Sequence, residues 1–311
     1  MIQDAPPILD SIRIADCRDA LPVLESDMVH AIISDIPYGI GMDDWDVLHT
    51  NTNSAYMGSS PGQRKAGSVF QRRGKPLNGW SAADRQIPKQ YEEWCSSWAG
   101  EWYRVIKPGG NALVFAGRRY AHRCIVALED AGFTMKDMLA WVRPRATHRA
   151  QRVSVVYERR GDQQNAEAWE GWRLGNLRPT FEPIIWVTKP YRQGTTIADN
   201  LLTHGVGAYN ESAFARYTGT PDNVIECGFA PNETGLHPTQ KPLRLMEALI
   251  ELVTSEGQIV LDPFAGSGTT LLAAKNVNRR FLGFELSHEF AETAHTRLTE
   301  VEGIFQARSR S

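Results

Sequence analysis

The stretch IVLDPFAGSGTTLLAA, Ile259 to Ala274, decides how this chain is organised. Four residues suited to a buried strand run into Asp262, then a turn with two glycines, then a helix opened by Thr269 and Thr270. Glycine lets a backbone come close to a ligand, and the first turn of a helix presents N–H groups without helical partners. Soon afterwards RFLGFEL, Arg280 to Leu286, reads as a strand ending in an acid, Glu285. A strand, glycine turn and helix followed by an acid-tipped strand is the layout of a nucleoside site, where the acid accepts from ribose hydroxyls. No lysine follows the glycines, so a phosphate loop is excluded, and GSG lacks the third glycine of the dinucleotide fingerprint. The alternative is a glycine-rich turn of purely structural purpose, and Asp262 before it with Glu285 after it weighs against that.

The rest of the chain alternates short apolar runs with helical periodicity, which predicts an α/β fold with a mostly parallel sheet. Strands are expected at Ser11–Ala15, Ala31–Asp35, Ala112–Ala116, Met138–Val142, Ile184–Thr188, Ile259–Asp262 and Phe281–Glu285, making a seven-stranded sheet. Helices are expected at Ile87–Ile106, where Trp94, Trp98 and Trp102 recur every four residues as packing side chains, and at Ala121–Ala131, Pro242–Thr254, Thr269–Asn276 and His288–Val301. KPGG, Lys107–Gly110, is expected to stop the first of these and turn the chain into the next strand. Two segments break the alternation. Thr50–Pro88 is polar, glycine-rich and basic, too long for a plain connection and so either mobile or functional, and Arg192–Asn232 is equally short of periodicity.

With 311 residues, 42% hydrophobic and 23% charged, the chain can bury a sizeable core as one large or two small domains. No apolar run approaches the roughly 20 residues of a membrane span, and MIQDAPPILD lacks the features of a secretory signal, so the cytoplasm is the expected location. Cys17, Cys95, Cys124 and Cys227 are scattered, without the spacing of a zinc site or a disulfide framework. A net charge of −2 argues by itself against a nucleic-acid partner. The charge is segregated, however. Arg64, Lys65, Arg72, Arg73 and Lys75 have no acid among them, and Arg143, Arg145, His148, Arg149, Arg152, Arg159 and Arg160 meet only Glu158. These groups are the candidates for phosphate contacts.

A third feature is SDIPYGIG, Ser34 to Gly41, where an apolar run ends in an acid, Asp35, followed by Ile36, Pro37 and Tyr38. Alone it reads more readily as a strand end and turn with a half-buried tyrosine. With DPFAGSGTT and with HPTQKP, His237 to Pro242, it resembles the amino-group DNA methyltransferases that use S-adenosyl-L-methionine. The resemblance runs from Ile12 to about Leu298 and follows the motif order of that family's beta class, catalytic motif first and cofactor motif last. It implies a circularly permuted, Rossmann-like class I methyltransferase fold. It also implies a catalytic tetrapeptide at Asp35, Ile36, Pro37 and Tyr38, with Ile36 where the family usually has a proline. The cofactor residues it implies are Asp16, His237, Pro238, Thr239, Gln240, Lys241, Asp262, Pro263, Phe264, Ala265, Gly266, Ser267, Gly268, Thr269 and Glu285. Two of these keep a structural alternative: Asp16 as a helix N-cap, and the segment from Thr239 to Pro242 as a plain helix entry. The strand in RPTFEPIIWVTKP, Arg178 to Pro190, resembles the family's strand near the target base, with Phe181 or Glu182 at its mouth.

The chemistry explains the grouping. An exocyclic base amine is a poor nucleophile because its lone pair is delocalised into the ring. Two acceptors on its hydrogens, the Asp35 carboxylate and the Ile36 carbonyl, pull the nitrogen toward tetrahedral geometry, and a carbonyl is supplied whether that residue is isoleucine or proline. The base must first leave the duplex, and stacking on Tyr38 returns about 1–3 kcal/mol of the cost. The resemblance implies residues 1–191 as the catalytic half with a basic insertion at 50–88, residues 192–232 as a target-recognition segment, and residues 233–311 as the cofactor half. It implies double-stranded DNA as partner, with a homodimer and a cognate restriction endonuclease as further partners. The resemblance implies adenine N6 as the acceptor, since Asp rather than Ser leads the tetrapeptide. Cytosine N4, RNA as substrate and a catalytically silent DNA-binding subunit are the alternatives.

Overall fold

The computed structural model describes residues 9–38, 82–143, 150–231, 233 and 240–308. Ten strands occur among them: β1 (Ser11–Ile14), β2 (Val29–Asp35), β3 (Ile106–Phe115), β4 (Thr134–Val142), β5 (Gln151–Arg152), β6 (Arg173–Leu174), β7 (Phe181–Thr188), β8 (Val224–Glu226), β9 (Ile259–Asp262) and β10 (Arg280–Glu285). The helices are α1 (Cys17–Ala20), α2 (Ala82–Val105), α3 (Ala121–Asp130), α4 (Val153–Glu158), α5 (Gln163–Ala168), α6 (Ile197–His204), α7 (Glu211–Thr218), α8 (Leu243–Val253), α9 (Thr269–Asn276) and α10 (His288–Arg308). No helix among the described residues is long and apolar enough to cross a membrane.

Eight strands form one sheet in the order β1-β10-β9-β2-β3-β7-β4-β8. Neighbours from β1 to β3 are parallel, β7 runs antiparallel to both β3 and β4, and β8 lies parallel to β4. All seven expected strands are present. The eighth, β8, adds three residues at the edge with only Ile225 buried, too short to leave a periodic signal. The permutation is visible in the order: Ala31 of β2 pairs with Val260 of β9, far away in the chain, at the sheet's centre. There the amino- and carboxyl-terminal halves of the chain meet, and the carboxyl ends of β10, β9 and β2 open on one edge, the place where open α/β sheets bind ligands.

Helices cover both faces. On one, α2 and α3 bury Cys95, Trp98, Trp102 and Leu128 against the sheet; on the other, α8 and α9 bury Leu245, Leu249, Leu271 and Leu272. In the tryptophan stripe of α2, Trp98 and Trp102 are packing, while Trp94 is half-buried and also lines a cavity. Trp98 and Trp102 are fully buried with ring centroids 4.2 Å apart, and Phe264 of the glycine turn lies 5.6, 5.9 and 6.3 Å from the rings of Trp94, Trp98 and Trp102. The stripe thus fixes the height of the turn above the sheet edge.

Two local expectations come out differently. Helix α2 ends at Val105 and β3 begins at once, so KPGG lies inside the strand, as the stretch where its register against β2 slips between Val29 and Ala31. The aperiodic segment after Arg192 contains α6 and α7, each opened by a side-chain cap, Thr196 and Asn210, and each closed by a glycine, Gly205 and Gly219. Asn200 is 5% exposed and its amide donates to the carbonyls of Pro108 and Val206, while Phe214 is buried beneath α8, so part of this segment is built into the sheet's flank. The stretch from Gln151 to Arg178 is different. Its β5–β6 pair and the helices α4 and α5 bury only Ala166.

Candidate active site

The end of β9 and the glycine turn are locked by short hydrogen bonds. Asp262, 2% exposed, accepts from the Ser34 hydroxyl at the end of β2 (2.6 Å) and from the backbone N–H of Phe264 (3.1 Å). Burial pushes its carboxyl up to about 6, against the hydrogen bond from Ser34. Asp262 therefore shapes the turn and ties the two halves of the sheet together. Gly268, at φ +77°, then starts α9 without a side-chain cap. The far side of the turn is held by α10, where Arg297 donates to the Ser267 carbonyl (2.5 Å) and the Thr269 hydroxyl (3.1 Å).

Glu285 stands where the sequence placed an acid. One carboxylate oxygen accepts from the Gly266 N–H (2.8 Å) and the other from the Ser287 N–H (2.8 Å). Each oxygen keeps a further lone pair. Burial raises the Glu285 carboxyl above its ordinary range, opposed by these backbone donors. Asp16 lies at the same edge, caps α1 by accepting from the Arg18 N–H (2.9 Å), and is paired with the Arg18 guanidinium (2.6 Å), which holds its carboxyl below the usual range. The cap and the cavity-lining role coexist.

A cavity of about 570 Å³ joins these groups to the end of β2. Its wall includes Asp16, Trp94, Phe264, Gly266, Glu285 and Phe290 at one end and Asp35 to Tyr38 with Lys241 at the other. The size is that of a small-molecule site. Ile36 is 1% exposed and sunk in the core, and its N–H donates to the Phe115 carbonyl (3.3 Å), so the side chain packs while the backbone forms wall. The Tyr91 hydroxyl donates to the Pro37 carbonyl (2.8 Å), which fixes the turn.

Around Asp35, distant parts of the chain converge. The Tyr38 hydroxyl lies 2.9 Å from Asp35 Oδ1 and 3.1 Å from Glu182 Oε2. Lys241 Nζ lies 2.5 Å from Asp35 Oδ2, 3.1 Å from the Tyr38 hydroxyl and 3.5 Å from Glu182 Oε2. Burial raises Asp35, opposed by Lys241, and raises Tyr38 well above its ordinary value, so the phenol stays protonated. Burial also works against the charge of Glu182, but Lys241 and Arg143 outweigh it and bring its carboxyl below the usual range.

Of the expected cofactor residues, Asp16, Gln240, Lys241, Asp262 to Ser267, Thr269 and Glu285 all line this cavity, and Gly268 closes the turn as the N-cap of α9. His237, Pro238 and Thr239 lie outside the described residues, as do Arg64, Lys65, Arg72, Arg73, Lys75, Arg145 and Arg149. Arg143 is engaged by Glu182 at 2.9 Å, and Arg152 is exposed. Sequence reasoning missed Ser34, Trp94, Ser287 and Phe290. Ser34 and Ser287 each sit within two residues of an acid at a strand end, a position that could have suggested them.

A nucleoside fits the far end of the cavity. Its flat base matches Trp94, Phe264 and Phe290, and ribose hydroxyls match Glu285, an acceptor with spare lone pairs beside backbone donors. Together with the acidic, aromatic cluster around Asp35, this points to a class: a Rossmann-like enzyme that moves a group from a nucleoside-bearing donor to a second molecule. The chain belongs to the N6/N4 DNA methylase family, whose family model matches residues 29–296. Its methyl donor is S-adenosyl-L-methionine. It is 54% identical to the type II methyltransferase M.HindIII of Haemophilus influenzae over 94% of this chain and 96% of that one. It is 26% identical to the type II methyltransferase M.HpaI of Haemophilus parainfluenzae over 90% of this chain and 71% of that one. Among solved structures, a putative DNA modification methylase of Thermus thermophilus, TTHA0409, complexed with S-adenosyl-L-methionine, matches with TM-score 0.56 and 20% identity over 93% of each chain. The cytosine-N4-specific PvuII DNA methyltransferase matches with TM-score 0.60 and 15% identity over 94% of this chain and 87% of that one.

Glu285 gives the first prediction. Glu285→Gln loses the charge that strengthens hydrogen bonds from ribose, an interaction of about 1.5–3 kcal/mol for a charged acceptor, and sets an amide NH2 against one of the two backbone donors, Gly266 or Ser287, that the carboxylate accepts. Affinity for S-adenosyl-L-methionine, measured by calorimetry, is expected to fall about tenfold. An unchanged affinity would place the ribose elsewhere.

Proposed function

We propose that the chain methylates the N6 amine of adenine within a specific sequence of double-stranded DNA, by base flipping and direct transfer. The observation that carries this reading is the position of Asp35 and the Ile36 backbone at one end of a cavity whose other end offers Glu285 to a nucleoside. When bound, S-adenosyl-L-methionine supplies an electrophilic methyl group on a positively charged sulfur. Asp35 and the Ile36 carbonyl accept the two amine hydrogens and leave the nitrogen lone pair for that methyl. As the nitrogen–carbon bond forms the methyl–sulfur bond breaks, the sulfur departing as a neutral thioether, and the methylated amine then gives up one proton to solvent. Tyr38, tethered through its hydroxyl to Asp35 and Glu182, holds its ring ready as a stacking surface before the base arrives.

Arg152 and the exposed Arg159, Arg160, Arg173 and Arg178 of the stretch from Gln151 to Arg178 are proposed to meet phosphates, together with the basic residues of the 50–88 insertion. Target recognition is assigned to residues 192–232 on the strength of the family's motif order. The type II name of the 54% identical relative supports a restriction-modification setting in the cytoplasm, with a cognate endonuclease as partner. A homodimer completes the reading, and the mass of the purified protein in solution tests it.

The deciding experiment incubates the protein with labelled S-adenosyl-L-methionine and unmethylated genomic DNA, then digests the DNA to nucleosides for mass spectrometry. N6-methyladenine is the expected product. N4-methylcytosine would keep the mechanism and change the base, and no product despite cofactor binding would favour RNA as substrate or a silent DNA-binding subunit.

A further inference from the structure

Lys241 belongs by sequence to the HPTQKP turn that the family resemblance assigns to the cofactor, yet its ammonium lies against Asp35, Tyr38 and Glu182. Its side chain is 4% exposed. Besides the three oxygens already given, it stands 5.1, 5.5 and 5.9 Å from the ring centres of Phe115, Tyr38 and Trp141. A cation is held there by carboxylates and aromatic faces together.

A proton count shows what the cation does. The Tyr38 hydroxyl has one hydrogen but lies within hydrogen-bond reach of two carboxylates, Asp35 and Glu182. Glu182 has a second partner in Arg143, whose guanidinium meets its other oxygen at 2.9 Å. Asp35 has only Lys241 as a cationic partner among the described residues. Among the described residues, the two carboxylates that meet Tyr38 then face two cations, Lys241 and Arg143, with Asp262 a third acid reached through Ser34. Without it, two partly buried carboxylates share one phenol proton and one guanidinium, and the group left uncompensated is Asp35.

We infer that Lys241 is the positioning residue of the methyl-acceptor site, holding Asp35 as an ionised carboxylate aimed at the incoming amine rather than contacting the methyl donor. The inference rests on the proposed transfer to a base amine. A protonated Asp35 would carry a hydrogen where an acceptor is needed, so the state of this one carboxyl decides whether the amine can be pulled out of conjugation. The titratable and charged groups around Asp35 among the described residues are Tyr38 on the following turn, Glu182 on β7, Lys241 before α8, Arg143 beyond Glu182, and Asp262 on β9, reached through Ser34. Removing Lys241 takes away the cation that opposes the burial of Asp35, so its carboxyl titrates at higher pH and the acid limb of the rate moves upward. Removing Glu182 takes away a like charge and moves that limb downward.

The test is single-turnover methylation of DNA against pH, with saturating S-adenosyl-L-methionine, for the wild type, Lys241→Met, Lys241→Arg, Glu182→Gln and the double variant Lys241→Met/Glu182→Gln. In Lys241→Met the acid limb is expected to move up by about 1–3 pH units. The loss of rate at neutral pH, about tenfold or more, is then largely recovered at alkaline pH. Lys241→Arg keeps a cation and keeps the limb near its wild-type position. The double variant restores the charge balance and brings the limb back, which a merely structural role for Lys241 does not predict. Infrared spectra of protein with isotope-labelled aspartate add a readout free of DNA: a protonated Asp35 band at neutral pH is expected in Lys241→Met and absent in the wild type. Cofactor affinity by calorimetry is expected to stay close to wild type in Lys241→Met. An unmoved acid limb with cofactor affinity falling in step with rate overturns the inference and returns Lys241 to the donor. Wild-type protein that methylates no base amine overturns the underlying reading instead.

Discussion

Asp35→Ala is expected to cut methyl transfer by about 100- to 1000-fold while cofactor binding survives, on the scale set by removing one hydrogen-bond partner of a transition state. The separation follows from position. Asp35 lies at the end of β2, bonded to Tyr38 and Lys241, whereas Glu285, Gly266 and Phe264 line the part of the same cavity proposed for the cofactor. Asp35→Asn sharpens the test because its amide oxygen still accepts while its charge is gone. If charge on the acceptor matters most, both variants lose comparable activity. If geometry alone matters, Asn retains much of the rate. Calorimetry with S-adenosyl-L-methionine is the control, and loss of both binding and activity in Asp35→Ala would end the division of labour between the two ends of the cavity.

The parts of this site that were legible in sequence are those that local chemistry marks. Asp262, the two glycines and Glu285 form a pattern because a strand, a tight turn and a strand-end acid must follow one another at short range. The seven strands were legible for the same reason, each being an apolar run between breakers. The acceptor cluster was only half visible. Lys241 is 206 residues from Asp35, and Tyr38 is 144 from Glu182, so their contacts arise from the crossing of β2, β7 and the turn before α8. Nothing in HPTQKP tells which end of a cavity its lysine will reach. Strand β8 escaped because three residues with one buried side chain carry no period, and α6 and α7 were marked by caps rather than by apolar faces. The tryptophan stripe was visible as packing, but its grip on Phe264 required the fold.

Gly268→Ala is expected to destabilise the protein by roughly 2–5 kcal/mol, from two separable sources. Gly268 has φ +77°, and a residue with a Cβ in the left-handed region costs about 1–2 kcal/mol. The added Cβ would also stand 2.6 Å from the Cβ and 3.2 Å from the Cα of Ala294, a fully buried residue of α10, and overpacking of this kind costs about 1–3 kcal/mol. For a chain of this length the thermal midpoint is expected to drop by about 3–8 °C. The cofactor is affected too, since the turn that Gly268 closes also positions the Gly266 N–H against Glu285. The two sources are told apart by Ala294→Gly. That change alone weakens α10 by about 1 kcal/mol, because glycine is a poor helix residue. Combined with Gly268→Ala it opens the space the new Cβ needs, so the double variant is expected to be more stable than the sum of the single changes by about 1–3 kcal/mol, leaving the dihedral cost unrelieved. Strict additivity in thermal unfolding would mean that α10 yields to the methyl group and that the strain at Gly268 is backbone strain alone.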